Sequence, residues 1–554
     1  MFAGSEHPAG GHPPRRTHRE RNRTGRGEAA PPSRAERGET KSERGKSRSF
    51  PVADHPAIGV LAVLALIAIT VIVWRGALAY YFSQDDFGGL ARARNLAPRL
   101  VSPMRYLSHQ AYWDLMRPFG VASAWSFHAV SIAAHAACAV VLYLLFARRF
   151  ARPAAFLAAA FFATHPMLFT ALHWASAVGD PFALLFALLA LALALGTRNR
   201  WWALPCFALS LLFKESCLML PAVVFAHRRW GTAGDRRAAA QGPRGPDPVL
   251  GGLWLMSVVA SQWLVFVSYR SDVSGASGSV SPYALGGPGL VLTNALTYLG
   301  WTANFWFPTV RGFPESIDRM VWPWAFGLVV AWVVGVGFRA LRQRGWMAAA
   351  LTYAAFIVPV LPLGHHTYHY YLYPALVGVA WGVAALGDLV MAQRRAPSRQ
   401  WAWAATAALA LVLTINALSL VHRIETMPFV HPELRADATI DRARIARNVY
   451  EGLRVAAPAD GARLAFWVPP SGPPPGRSSS VESDRYYTDN VRTALLDGLA
   501  VRVMFPQIVD VSFMSPSDTP VGSQQVAVCT PGGHLRLMAA GDFNAGPLRA
   551  RAPP

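Results

Sequence analysis

The segment Ser83-Gln84-Asp85-Asp86-Phe87 sets two carboxylates side by side directly after a long apolar run. Adjacent carboxylates repel, and a low-dielectric boundary raises their proton affinity, so one of them can act as a general base near neutral pH. The alternative is that Asp86 caps a following helix while Asp85 is solvated. A second ionisable group, Lys214-Glu215, interrupts an apolar stretch between LLF and SCLMLP. An ionisable side chain at membrane depth costs about 2.5–3.5 kcal/mol on insertion scales, so it needs a partner or a function. Lys41, Lys46 and Lys214 are the only three lysines, and arginine fills nearly every other cationic position. A lysine kept at 214 therefore points to a site, although Lys214 and Glu215 can equally neutralise partners elsewhere. Arg105 and Arg117 share the loop of the acidic pair, and their guanidinium forks match phosphate oxygens. The competing role is contact with solvent or lipid headgroups. Asp180, between Gly179 and Pro181, reads either as the cap of the next helix or as part of the site.

The elements that must hold these residues are membrane spans. Of 554 residues, 53% are hydrophobic and 15% charged, against roughly 25% charged in soluble proteins. The mean hydropathy is positive. Residues 1–50, with 12 Lys/Arg, 6 Glu and abundant Gly, Pro and Ser, cannot bury enough apolar surface to fold and read as a disordered basic cytoplasmic tail. The net charge of +21 thus gives no ground for a nucleic-acid partner. Four scattered cysteines give no disulfide framework.

The run 56–79 is long enough to cross about 30 Å of hydrocarbon. Further spans are expected at about 121–147, 154–172, 181–196, 249–268, 321–338, 346–363, 372–390 and 401–420, with two short helices meeting near Lys214 between 201 and 227. Sixteen arginines fall in the loops assigned inside (148–152, 198–200, 228–244, 339–344 and 394–399), and none in the short outer loops 173–180 and 365–371. That bias predicts an inside N-terminus, about eleven spans and an outside C-terminus. Residues 51–420 then form an all-α polytopic membrane bundle with long outer loops at 80–118 and 269–320. Residues 421–554 form a small extracytoplasmic α+β domain. Its strands are expected at ARLAFWV, VRVMF, QQVAV and HLRLM, and a helix at DATIDRARIARNVYEGLRVAA. The aromatic residues at 298–307 read as an interfacial belt. His365, His366 and His369 invite a metal reading, but Pro362, Gly364 and Pro374 interrupt any shared helical face, and neither metal nor cofactor is expected.

The ordered set continues with Met116-Arg117-Pro118, Phe127-His128, His135, Thr164-His165-Pro166, His173-Trp174, Gly179-Asp180-Pro181 and Phe213-Lys214-Glu215. It resembles the GT-C superfamily of polytopic glycosyltransferases, in particular the protein O-mannosyltransferase and aminoarabinose-transferase branch with its bacterial relatives. The resemblance covers residues 56–227 and weakens over 228–420. There LPLGHHTYHYYLYPALVG is similar to the family's Arg-Tyr-Leu-Tyr-Pro segment but carries His369 or Tyr370 at the arginine position. The resemblance implies transfer of a sugar from a polyprenyl-phosphate donor to an acceptor hydroxyl, on a glycan, lipid or protein, at the outer face of an inner (plasma) membrane. It implies Asp85 as base with Asp86 second, and Arg117, Lys214, Glu215, Arg105, Asp180 and His165 around the substrate and its phosphate. His128, His135 and His165 also read as packing groups inside the bundle. Competing functions are a glycan ligase, a transporter or flippase using Lys214, Glu215 and Asp180 as a relay, and an inactive scaffold. The absence of a repeat between the halves counts against transport.

Overall fold

The run Pro56–Trp74 forms a helix that continues as a 3-10 turn to Ala79. It is apolar on every face, and Val60, Leu61, Leu64 and Ile72 point away from the protein at 56–66% exposure. A helix that is hydrophobic all round, with one side unpartnered, has the surface of a membrane-embedded helix. Its inner side is fixed by Trp74, whose Nε1 donates to the Ala163 carbonyl at 2.7 Å. The protein is described here from a computed structural model. It describes residues 56–100, 102–196, 199–240, 247–274, 285–303, 321–364, 367–392, 407, 410–411, 414–421, 429–431, 433–435, 438–469, 481–515, 518–522 and 524–544. The basic tail lies outside them, and so does half of the expected span 401–420.

The described residues are mostly helical. Five helices are long and apolar enough to cross a membrane: Ala57–Ala79, Trp125–Ala147, Ala175–Ala194, Pro248–Val267 and His369–Ala392. A sixth is added if Arg152–Thr164 and Pro166–His173, bent by 43° at His165, count as one. Arg200–Phe213, Trp322–Gly337 and Trp346–Val360 are apolar but shorter. The helices Ala203–Phe213 and Leu220–Trp230 meet at Lys214 as expected.

Two ends of the bundle differ in chemistry. At one end, arginines from separate loops are tied to three aspartates. Arg149 Nε reaches Asp235 at 2.7 Å, and Arg344 Nε reaches Asp388 at 2.8 Å. Arg200 and Arg228 share Asp247. Asp388 also accepts the Ala151 N–H at 2.9 Å. Arg149, Arg200, Arg228 and Arg344 all come from segments assigned inside by charge bias, so those segments gather at one basic end.

The other end carries the first loop and a folded C-terminal unit. Here Phe87, Leu90 and Ala91 of the helix Asp85–Ala93 enter one apolar core with Ile445, Val449, Phe466 and Val501. Polar contacts lock the joint: Gln84 N–H donates to the Ala494 carbonyl at 3.1 Å, and Arg94 Nη1 to the Val503 carbonyl at 2.8 Å. The unit is built on a four-stranded sheet. Arg463–Trp467 lies between Asp510–Phe513 and Gln525–Cys529, both parallel to it, and Leu535–Ala539 closes the edge antiparallel. LAFWV reads as a continuous apolar run because the central strand is covered on both faces. Ala438–Ala456 and Val481–Ala494 pack beside it.

Three expectations are corrected. VRVMF belongs to a helix, Leu499–Met504, entered through Gly498 at φ 85°, with Ala500, Val501, Val503 and Met504 buried and Arg502 exposed. Five residues cannot separate a period of 2 from one helical turn, and docking against the neighbouring elements decides. The outer loop 269–320 contains a helix, Pro288–Ala303. Tyr298 and Trp301 on it are buried rather than interfacial: Tyr298 Oη accepts the Tyr368 N–H at 3.3 Å, and Trp301 stacks on His369 with centroids 4.0 Å apart. Residues 304–307 lie outside the described residues.

The docking of the first-loop helix can be tested at two neighbouring glycines. A Cβ on Gly89 would lie 2.3 Å from the Trp113 ring, whereas one on Gly88 meets Leu496 at 3.4 Å and Arg92 Nη1 at 3.5 Å, both ordinary contacts. Helix propensity favours alanine at both positions. Gly89→Ala should nevertheless lower stability by about 1–3 kcal/mol through overpacking, and Gly88→Ala should be neutral or better. Thermal unfolding of the two purified variants in detergent reads the difference; equal melting temperatures would contradict the packing.

Candidate functional site

The two adjacent carboxylates are not equivalent. Asp86 is 1% exposed and fully engaged: one oxygen accepts the Ser83 N–H at 2.8 Å and the other the Ser176 N–H at 2.7 Å. It thereby clips the first turn of Asp85–Ala93 to the loop after His173. Burial pushes its carboxyl up to about 7 in spite of these bonds, which favour the charged form. Asp85 opens to solvent and makes no hydrogen bond or ion pair among the described residues. Its carboxyl is also raised by the surrounding protein, against the pull of Arg92, Arg442 and Arg105.

Asp85 faces a cavity of about 230 Å³ walled by Arg92, His109, Trp113, Ser176 and Leu496. Arg92 lies two helical turns after Asp85, on the same face, and is held by its Nε and Nη2 on the His109 carbonyl at 3.1 and 3.0 Å. Burial, then Arg105, Arg92 and Lys214, push the His109 imidazole down to about 3, so it is neutral at physiological pH. A second cavity, about 280 Å³, adjoins Asp85 on the side of the C-terminal unit and is lined by Gln84, Asp489, Arg492, Thr493 and Asp497. Arg442, 9% exposed, reaches in from Ala438–Ala456 and donates Nη1 to Gln84 Oε1 at 2.6 Å. Burial lowers its guanidinium to about 10, still a cation at neutral pH.

Beneath Asp85 lies a second layer. Arg105 forms a two-bond fork onto Glu215, with Nε at 2.8 Å. Lys214 Nζ donates to Asp180 Oδ2 at 2.7 Å and stands 4.5 Å above the Tyr370 ring. Asp180 Oδ1 is buried with no partner among the described residues. Ser108 Oγ donates to the Phe213 carbonyl at 2.6 Å, joining the first loop to the Lys214 turn. The chain around these groups is strained: Gln84 and Arg105 have φ of 50° and 60° without being glycine, and Leu107–Ala111 is one π-turn. Strained backbone and π-turns concentrate at sites where geometry serves a function.

Of the residues expected from sequence, Asp85, Asp86, Arg105, Asp180, Lys214 and Glu215 therefore converge. Arg117 does not join them; it is exposed on the turn Arg117–Phe119, where it acts on Arg94. His165 is inside the bundle at the helix break, with Nδ1 accepting the Met167 N–H at 3.3 Å and Nε2 3.3 Å from the Thr302 carbonyl. His365 and His366 lie outside the described residues. Arg92, His109, Ser176, Arg442 and Thr493 were not singled out from sequence; only Arg92, seven positions after Asp85, had a usable signal there. No protein-family model and no curated protein matches this chain.

The different states of the two carboxylates set a pH dependence. Folded Asp86 keeps its proton up to about 7, whereas in the unfolded chain an ordinary aspartate loses it near 3.8. Between these values the folded protein binds more protons, so rising pH lowers stability. Asparagine at 86 does not titrate. The difference in melting temperature between wild type and Asp86→Asn should shrink from about pH 4 to about pH 7 and then level off. Differential scanning fluorimetry across that range checks it; a difference that widens with pH would contradict the assignment.

Proposed function

We propose that this protein is a polytopic membrane glycosyltransferase that moves a sugar from a polyprenyl-phosphate donor to an acceptor hydroxyl at the outer face of the membrane. One observation carries the reading: of two adjacent carboxylates, one is consumed in clipping loops together and the other stands unbonded at a cavity edged by arginine. A general base needs an unfilled hydrogen-bonding position and a proton affinity nearer neutrality than a free carboxylate, and Asp85 meets both conditions. A departing polyprenyl phosphate needs positive charge that is already in place. Arg92, Arg442 and Arg105 supply it around Asp85, with Lys214 below.

The topology that accompanies this reading has eleven spans, an inside N-terminus and the unit after residue 421 outside. Two features support it. Charge-biased loops gather at one end through Asp235, Asp247 and Asp388, and the Asp85 loop shares its core with the C-terminal unit at the other. Reporter fusions at Ala238 and after Ala436 should report opposite sides of the membrane. Both on one side would overturn the topology.

The chemistry is tested with purified protein in proteoliposomes, given a panel of polyprenyl-phosphate monosaccharides and a cell-membrane extract as the source of acceptor hydroxyls. Release of polyprenyl phosphate, followed by mass spectrometry, reports transfer whatever the acceptor. Asp85→Asn should cut turnover by about 10²–10⁴-fold while leaving the melting temperature near wild type. Wild-type turnover by that variant would remove Asp85 as the base.

A further inference from the structure

At the basic end, away from the Asp85 site, the bundle has an open groove between Pro56–Trp74 and Trp125–Ala147. Gly59, Val60, Val63 and Leu64 form one wall, Tyr143, Leu144 and Ala147 the other, and the enclosed space is about 480 Å³. That is within the ~300–1,000 Å³ of ordinary ligand sites. Val60, Leu64 and Leu144 are 60, 56 and 47% exposed, so apolar walls stand without a protein partner. A Cβ on Gly59 would have nothing within 4 Å. Arg148 and Arg152, four positions apart, line one end of the groove. The neighbouring Arg149 is committed to Asp235, whereas Arg148 is exposed and makes no ion pair among the described residues. Among the described residues no carboxylate lines the groove.

Apolar walls along a lipid-facing helix, ending in two cations where chain meets headgroup, match one kind of ligand. We propose that the groove is a binding site for an anionic phospholipid, with an acyl chain along Gly59–Leu64 and the phosphate between Arg148 and Arg152. Basic pockets between spanning helices favour anionic headgroups, and guanidinium adds bidentate bonds to phosphate oxygens. A zwitterionic lipid offers the same chain but carries a cation that Arg148 repels. The inference is independent of the glycosyltransferase reading, because no residue of the groove belongs to the Asp85 recess.

The test uses the full-length protein in neutral detergent, with dioleoylphosphatidylglycerol or dioleoylphosphatidylcholine added, and counts retained lipid by native mass spectrometry. Wild type should retain phosphatidylglycerol in preference. Arg148→Gln and Arg152→Gln should each weaken retention about fivefold, the equivalent of one interfacial cation. Gly59→Trp keeps both arginines but fills the groove, and should weaken retention as much; Leu64→Trp serves if Gly59→Trp melts early. Three results would overturn the proposal: equal retention of the two lipids, displacement of phosphatidylglycerol by inorganic phosphate at matched concentration, or unchanged retention in both tryptophan variants.

Discussion

The buried carboxylate of Asp86 is the constraint from which the site follows. Its two oxygens are saturated by the N–H groups of Ser83 and Ser176, which lie on different loops. Removing one acceptor would leave a buried amide unpaired, at about 1–3 kcal/mol. That clip fixes the start and direction of the helix Asp85–Ala93. With the direction fixed, Asp85 is turned outward to the cavity and Arg92 follows on the same face. The opposite face, through Phe87, Leu90 and Ala91, is driven into the core of the C-terminal unit. One hydrogen-bonded carboxylate thus positions its neighbour and docks a domain.

The layer beneath has a different logic. Lys214–Asp180 and Arg105–Glu215 join three segments that are distant in sequence. Pairing charges of this kind returns little net stability, because desolvation offsets most of the attraction. Breaking such a pair, however, leaves an uncompensated charge and costs about 3–5 kcal/mol. The pairs therefore act as registration devices: they forbid arrangements in which the Lys214 turn slides away from the first loop. The single bond from Ser108 to the Phe213 carbonyl works in the same direction. The opposite end of the bundle repeats the principle with Asp235, Asp247 and Asp388, each binding arginine from another loop.

Much of this was legible in sequence because membrane depth makes charge conspicuous. Asp85, Asp86, Asp180, Lys214 and Glu215 stood out against apolar surroundings, and they do converge. What sequence spacing could not supply is which carboxylate is free, since that depends on Ser176, ninety positions away. Arg442 was invisible for the same reason: its partner Gln84 is separated from it by 358 residues, and in its own helix it reads as a solvated residue. The error at VRVMF came from a segment too short to carry a period. The error at Tyr298 and Trp301 came from treating aromatic residues as interfacial, when Tyr353, Tyr368 and His369 offered them a polar-lined interior.

The C-terminal unit also changes how the recess must be understood. A carboxylate at the rim of a membrane bundle would ordinarily be bathed in water, with its charge screened and its proton affinity ordinary. Here Gln84, Asp85 and Leu496 meet under Val481–Ala494, and Arg442 is brought in from Ala438–Ala456. The covering protein removes water from one side of Asp85 and puts a cation on that same side. These two effects oppose each other: loss of water raises the proton affinity of Asp85, and Arg442, like Arg92, lowers it. Desolvation prevails, so the carboxyl remains more basic than a free one while the arginines stay close enough to meet an arriving anion. A group that is basic and a field that is positive are difficult to combine, because the field ordinarily removes the basicity. The roof over the first loop is what allows both to occupy one recess.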